Sequence, residues 1–331
     1  MFYILGPMKV AVTGAAGYLG SNLIPQLVER GHEVVAIDRV APATTDPAVT
    51  WVEGDVLDAA SMRTALDGAE VVYHLVALIT LAKNNDLAWR VNTEGVRVTA
   101  EAALEVGARR FVHTSSIHAF DQYRAGGHID ENSQRSDNPE LPVYDRSKWT
   151  GELSLRPAIE RGLDAVIVNP TGVFGPIDNL RQLSRVNRTT VDCARGRVPV
   201  MIGGGFDMVD VRDVAHGLIL AGEKGRTGEN YLLGGHMITL LELCRIAARH
   251  AGATGPRFAI PAGLIGALMP VLEPIGKRLG SDVLSKAALG AIISAPVVDH
   301  GKAERELGYH PRPIQESIHD LVDFALAPQH A

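Results

Sequence analysis

The chain has 331 residues, 46% of them apolar, with a formal net charge of -6 and a pI near 6.1. That length exceeds the usual single-domain size, so a large α/β unit with a smaller second lobe is the expected organisation. The acidic balance leaves no electrostatic footprint for nucleic acid, and 5% aromatic residues offer little for stacking on single strands.

The leader Met1 to Pro7 lacks a basic stretch and the length of a signal peptide, so it reads as an extension ahead of the first strand. Met8 to Val12 is a short apolar, β-branched run that suits a buried parallel strand. Thr13-Gly14-Ala15-Ala16-Gly17-Tyr18-Leu19-Gly20 follows as a glycine-punctuated turn, and Ser21 to Arg30 carries Leu23, Ile24, Leu27 and Val28 at helical spacing before Gly31. A strand turning sharply into a helix aims free N–H groups and the positive dipole end at one spot, which suits phosphate. Glycine is required wherever a side chain would block the approach. A glycine turn alone is also a common structural device. What favours a dinucleotide is the second strand, Glu33 to Ile37, ending on Asp38, eighteen residues past Gly20, where an acid can accept from an adenosine ribose. The spacing is Gly-x-x-Gly-x-x-Gly.

Ala41 to Pro47 reads as a loop, Val49 to Glu53 as a third strand leading to Gly54-Asp55-Val56, and Leu57 to Leu66 as a short helix with Asp58 as N-cap. Val71 to Val76 is a continuous apolar strand, Val91 to Gly107 a long helix with Val96, Val98, Ala102 and Leu104 mostly inward, and Phe111 to Ser116 a fifth strand. This repeated alternation argues a doubly wound parallel sheet, Rossmann-like, with a smaller, mainly helical C-terminal lobe. Asp121 to Leu141 is a polar loop. A helix opens at Tyr144 and runs to about Arg161, and Ala165 to Val168 is a sixth strand ending at Asn169-Pro170. Later elements are a helix from Leu180 to Arg195, a Gly203–Gly205 turn, a strand from Met208 to Val211, a helix from Asp213 to Ala221 and a strand from Glu229 to Leu233. The remainder is helical and interrupted by prolines. A nucleotide-binding unit is expected over 8–175, with 210–235 returning to it, and a substrate lobe over 176–209 and 236–331.

Cys193 and Cys244 form no Cys-x-x-Cys pair, so neither a disulfide framework nor a zinc site is expected, no metal is assigned, and a reducing cytoplasm fits. No apolar stretch reaches membrane-spanning length without a proline or a charge.

Tyr144 and Lys148 lie four apart, on one helix face. A lysine cation held nearby would favour the phenolate and make the tyrosine a usable acid/base, although both can equally be ordinary residues of a helix start. Ser116, at the C-terminal end of a central strand where open α/β sheets bind ligands, turns the balance toward chemistry. His113 and His118 flank it and are read as satisfied or surface histidines.

On these residues the chain resembles the extended short-chain dehydrogenase/reductases, the NAD-dependent epimerase/dehydratase group, and within it the dihydroflavonol-reductase-like and hydroxysteroid-dehydrogenase-like proteins. Further matches are Asp55-Val56, Ser115-Ser116, Asn169 to Pro176, Val211 to Ala215, Lys302-Ala303 and Glu306 to Tyr309. The resemblance implies NAD as cofactor, and Ser116, Tyr144 and Lys148 as the catalytic triad. It implies cofactor contacts from Gly14, Ala16, Gly17, Tyr18, Leu19, Asp38, Arg39, Asp55, Val56, Val76, Ala77, Asn92, Thr114, Tyr144, Lys148, Pro170, Gly172 and Val173. Asp38 selects NAD over NADP, with Arg39 leaving room for the latter, and Asp55 and Val56 meet the adenine. It also implies a small-molecule substrate and a homodimer formed through the helices near 91–107 and 144–161. Val76 and Asn169 depart from the group's pattern and are expected to line the substrate side. Phe206 stands where sugar-nucleotide members carry an arginine, and Phe258 to Ile275 is apolar enough to roof a greasy pocket. The expected activity is therefore hydride exchange with a secondary alcohol or ketone of an apolar molecule. The alternatives are a nucleotide-sugar epimerase or dehydratase, favoured if the row Arg181, Arg185 and Arg188 clamps an anionic tail, and a non-catalytic NAD sensor.

Overall fold

A computed structural model describes residues 6–42, 46–177, 183–269, 286–294 and 296–327. Its centre is a seven-stranded sheet. In chain order the strands are β1 (Lys9–Thr13), β2 (Glu33–Asp38), β3 (Val49–Glu53), β4 (Val71–His74), β5 (Arg110–Thr114), β7 (Ala165–Pro170) and β11 (Asn230–Leu233). They lie in the order β11-β7-β5-β4-β1-β2-β3, every neighbouring pair parallel. Strand order reverses at β1, so the chain leaves β1 and β4 in opposite directions and opens a crevice at their C-terminal ends.

Alternation along the strands explains why both faces are covered. Val10, Val12, Val34, Ala36 and Tyr73 pack with Leu23 and Leu27 of α1 (Gly20–Glu29) and Val214 and Leu218 of α6 (Val211–Lys224). Ala11, Val35, Ile37 and Val72 face α2 (Ala59–Ala65), α3 (Asp86–Glu105) and α4 (Val143–Glu160) through Met62, Val96 and Leu155. A strand buried on both faces reads as an unbroken apolar run, which is why these strands were legible. The helices α3 and α4 approach closely because Gly151 presents no side chain: a Cβ there would collide with the Asn92 carbonyl.

A third core lies beyond the sheet, where α5 (Arg185–Ala194), α7 (Leu240–His250) and α11 (Ile314–Leu326) gather Val191, Leu243, Ile246, Ile318 and Leu321. A small sheet joins it, with β10 (Gly205–Asp210) between β8 (Gly172–Phe174) and β12 (His236–Thr239). The remaining pieces are short: strands β9 (Met201–Ile202) and β13 (Ala259–Ile260) pair with each other, as do β6 (His128–Ile129) and β14 (Val297–Val298), and the remaining helices are α8 (262–269), α9 (Lys286–Ser294) and α10 (Gly301–Leu307).

Several expectations need correction. Helix α3 starts at Asp86, not Val91, because the Asn85 side chain caps it by accepting from Ala88 N at 2.9 Å. Helix α5 starts only at Arg185, after the Ser184 cap, and Arg181 lies outside the described residues. Gly205 belongs to a strand rather than a turn; it is glycine because a Cβ would strike the Ile238 carbonyl across the ladder. Most directly, Cys193 and Cys244 are joined as a disulfide, their Cα atoms 5.2 Å apart. The pairing is invisible in a spacing of 51 residues and arises because α5 and α7 pack together in the third core. The argument from cysteine usage to a reducing compartment falls with it. Among the described residues no helix is long and apolar enough to cross a membrane.

Candidate active site

The glycine turn sits at the crevice. Gly14 holds φ +74°, and a Cβ on it would come within 3.1 Å of Val76 N, so the loop after β4 and the turn close on each other only because Gly14 is bare. Its N–H donates to Ile37 O at 2.9 Å, and Gly17 N donates to Gly14 O at 3.1 Å. Gly20 opens α1 and cannot bear a Cβ against the Ala15 carbonyl. The helix start at Leu19 has no capping side chain and no acid in its first turn, so its positive end is left for a ligand anion. Asp38, closing β2, reaches over this turn. Its Oδ2 accepts from Ala16 N at 3.0 Å and its Oδ1 from Arg39 N at 2.8 Å. The Thr114 hydroxyl is buried without a hydrogen-bond partner at the end of β5. A bare turn, an open helix terminus and a ribose-height carboxylate fit an NAD pyrophosphate and adenosine.

The turn is also tied to the far side of the crevice. Tyr18 Oη donates to Gly175 O at 2.7 Å, and the Asn187 amide of α5 bonds Tyr18 Oη at 3.1 Å, Gly175 O at 2.9 Å and Gly175 N at 3.0 Å. Sequence reasoning missed Asn187, since nothing local marks a helix asparagine that clamps a strand end. Asp55 Oδ1 accepts from Leu57 N at 2.9 Å, turning the chain after β3, and buried Val56 packs on Gly95 of α3. Asn92 braces the loop carrying Val76 and Ala77: it bonds Leu78 N at 2.8 Å and Leu78 O at 3.1 Å, and donates to Ser147 Oγ at 2.9 Å. Pro170 ends β7, while Gly172 and Val173 pair with Met208 and Val209 of β10.

Ser116, Tyr144 and Lys148 are brought together at the end of β5. Helix α4 starts at Val143, so Tyr144 and Lys148 fall on its buried face one turn apart, and the Ser116 hydroxyl, which accepts from His118 N at 3.2 Å, is near enough to act on the Tyr144 phenol. Lys148 is only 2% exposed and its Nζ donates to Thr114 O at 2.8 Å. Burial lowers its pKa from 10.5 to about 8, against the opposing pull of Glu152. Burial likewise pushes the Tyr144 phenol up to about 12; the Ser116 hydroxyl opposes this and the Asp145 charge adds to it. The expectation that Lys148 draws the phenol down is therefore not met, since its ammonium points at a strand carbonyl and desolvation dominates.

Asn169 also corrects an expectation. Its side chain does not line the substrate side but is fully buried, donating to Ser116 O at 3.0 Å and Glu152 Oε1 at 2.7 Å. Glu152 is held further by Arg135 at 3.2 Å and Asn230 at 3.0 Å, a buried network that fixes the Ser116 backbone from behind.

The histidines part company. His113 is fully buried with both nitrogens unpartnered, and His74, stacked on it at 5.6 Å, bonds Thr13 Oγ1 at 2.8 Å. Burial first and the Lys148 charge second lower His74 to about 3 and His113 well below the usual imidazole range, so both are neutral. His118 instead lies in the site. After Ser116 the chain enters a 3-10 turn (Ile117–Ala119), which breaks strand alternation and swings His118 to Asp145, Nδ1 to Oδ1 2.7 Å, with its ring 5.2 Å from that of Tyr144. It borders a cavity also lined by Thr171, Phe206, Asp207, Pro296 and Val298. Of the expected apolar roof, Phe258, Leu264 and Leu268 are exposed and Met269 is buried; 270–275 lie outside the described residues. Arg185 and Arg188 are exposed on α5.

The sequence profile of the NAD dependent epimerase/dehydratase family matches residues 10–234. The chain is 33% identical to sterol demethylase protein B of Methylococcus capsulatus, over 95% of this chain and 97% of that protein. It is 27% identical to the 3-beta-hydroxysteroid dehydrogenase of Mycolicibacterium neoaurum, over 92% and 87% of the two chains. Among solved structures it resembles gox2253, with a TM-score of 0.82, 30% identity and 98% of each chain covered. With the profile spanning the parallel sheet and the glycine turn, the chain belongs to the NAD dependent epimerase/dehydratase family of extended short-chain dehydrogenase/reductases, as an enzyme whose cofactor is NAD.

Proposed function

We propose that the enzyme moves hydride between NAD and a secondary alcohol or ketone on an apolar, sterol-like molecule, with Tyr144 as the acid/base. The bound nicotinamide supplies or accepts the hydride. The rest falls to the chain. Ser116 donates to the substrate oxygen, Tyr144 exchanges the proton of that oxygen, and Lys148, one helical turn on and anchored on Thr114 O, is held for the nicotinamide ribose. A phenol raised to about 12 is protonated at neutral pH, so it is set to give its proton to a ketone, and oxidation of the alcohol gains from alkalinity. On this reading 8–175 with 210–235 carries NAD, 176–209 and 236–331 form the substrate lobe, and two copies pair through α3 and α4.

The observation that carries the substrate reading is the cavity bordered by His118, whose ring lies 5.2 Å from that of Tyr144; Phe206 and the nearly buried carboxylate of Asp207 share its lining. Asp207 Oδ1 is held by Gly235 N at 2.8 Å, which fixes an anion where a sugar-nucleotide diphosphate would need a cation. The names of the two relatives, a sterol demethylase component and a hydroxysteroid dehydrogenase, support the same substrate class. The test is thermal stabilisation of the NAD-loaded protein by a steroidal alcohol against UDP-glucose. The steroid should raise the melting temperature and the sugar nucleotide should not; a shift from sub-millimolar UDP-glucose alone overturns the reading in favour of an epimerase.

A further inference from the structure

We infer that the cavity bordered by His118 is the subsite for a second hydroxyl of the substrate, which donates to the carboxylate of Asp207 and accepts from the hydroxyl of Thr171. The inference rests on the hydride reading above, which places the reacting carbinol at Ser116 and Tyr144. Neither of those two residues lines this cavity, so the part of the substrate that enters it is remote from the reacting carbon. His118 stands between the two places, its ring 5.2 Å from that of Tyr144 and itself part of the cavity lining. Ile117, Phe206 and Val298 give the lining its apolar part, which suits a steroid skeleton.

Thr171 and Asp207 both lack the partner that their burial calls for, at 7% and 8% exposed. Asp207 Oδ1 accepts from Gly235 N at 2.8 Å, but among the described residues no cation pairs with the carboxylate. Its neighbours differ: Asp210 pairs with Arg212 at 2.7 Å and Asp213 with Arg312 at 2.8 Å. His300, beyond Gly234, bonds Glu304 instead, Nε2 to Oε1 3.2 Å. A buried carboxylate without a counter-ion is costly unless other donors reach it. The Thr171 hydroxyl lines the same cavity, buried and with no hydrogen-bond partner. The two residues stand side by side. Strands β8 and β10 run parallel with Gly172 beside Met208, so one step earlier the register sets Thr171 beside Asp207, about 4.8 Å away and toward the same face. One hydroxyl between them satisfies both, giving its proton to Asp207 and a lone pair to the Thr171 O–H. An ammonium would leave the Thr171 proton without an acceptor, and a ketone would turn its lone pairs on the carboxylate.

The test compares androstan-3-ol with counterparts carrying one further hydroxyl, or one further ketone, on ring B, C or D in turn. NADH formation gives kcat/KM, and mass spectrometry of the product identifies the oxidised position. With the wild type, the further hydroxyl on one of these rings should raise kcat/KM for the ring A alcohol about ten- to hundredfold, and a ketone at that position should not. Thr171→Val removes the hydroxyl at nearly constant volume and should cut the ratio of diol to mono-alcohol at least about fivefold. Asp207→Asn keeps an oxygen for Gly235 N and turns the free end from acceptor into donor, so preference should move from the diol toward the hydroxyketone. If no ring position makes the diol better than the mono-alcohol, the inference is overturned and the hydride reading stands. A ratio that stays at its wild-type value in either variant places the hydroxyl elsewhere and also overturns it. A wild type that forms no NADH from any of these alcohols removes both readings.

Discussion

Replacing Lys148 with methionine should stabilise the protein while nearly abolishing turnover. Lys148 is 2% exposed, and burial brings its pKa from 10.5 to about 8 despite the attraction of Glu152. That depression corresponds to about 3 kcal/mol held against the charged form at neutral pH. Methionine keeps the unbranched stem and removes the cation. It also strips Thr114 O of its 2.8 Å partner, a loss of about 1 kcal/mol. The difference leaves Lys148→Met more stable by about 1–2 kcal/mol. Its pH dependence has a definite sign. Between about 8 and 10.5 the unfolded chain holds more protons at this site than the folded one, so wild-type stability rises with pH across that window. The advantage of the variant is therefore full below pH 8, shrinks as the buried lysine deprotonates, and is gone near 10.5. Urea unfolding of both proteins without cofactor, at neutral and at alkaline pH, measures it. A variant less stable than the wild type at neutral pH, or a gap that alkalinity does not close, would refute the reasoning.

Tyr144→Phe keeps the ring and loses the proton relay, so turnover should fall by about 10²-fold or more while NAD affinity, followed by calorimetry, survives. Asp38→Ala should narrow the preference for NAD over NADP in parallel titrations, because it removes the carboxylate that repels a 2′-phosphate; it also frees Ala16 N from its 3.0 Å acceptor and so loosens the turn. Gly14→Ala forces a side chain into φ +74° and toward Val76 N, so stability should drop by about 1–2 kcal/mol and NAD titration should show weakened binding. Light scattering at micromolar concentration should show a dimer, and charge reversal on the outer face of α3, where Arg90 pairs Glu94 and Arg97 pairs Glu101, should weaken it; a monomeric wild type sinks that proposal.

The sheet and the glycine turn were legible because their signals are local. A strand buried on both faces needs a run such as Val71 to Tyr73, and a turn that approaches another backbone needs a glycine at position 14. What stayed hidden depends on contacts between distant segments. Asn169 lies at a strand end where a ligand contact is expected, yet Glu152 and Asn230, 17 and 61 residues away, turn it inward. Cys193 meets Cys244 only once α5 and α7 share a core. His118 looked like one of two equivalent strand histidines until the 3-10 turn after Ser116 separated it from His113. Tyr144 and Lys148 were placed correctly on one helix face, but their electrostatics follow from burial, which four-residue spacing does not report.

The measurement that bears most directly on the proposed activity is NADH formation from a steroidal secondary alcohol, followed by absorbance over a range of pH, with wild type and Tyr144→Phe side by side. The wild type should oxidise the alcohol at a rate that climbs with alkalinity, as a phenol raised to about 12 requires, and the variant should not. Wild-type protein that forms no NADH from the steroid, yet interconverts UDP-sugars with its NAD retained, would contradict the account.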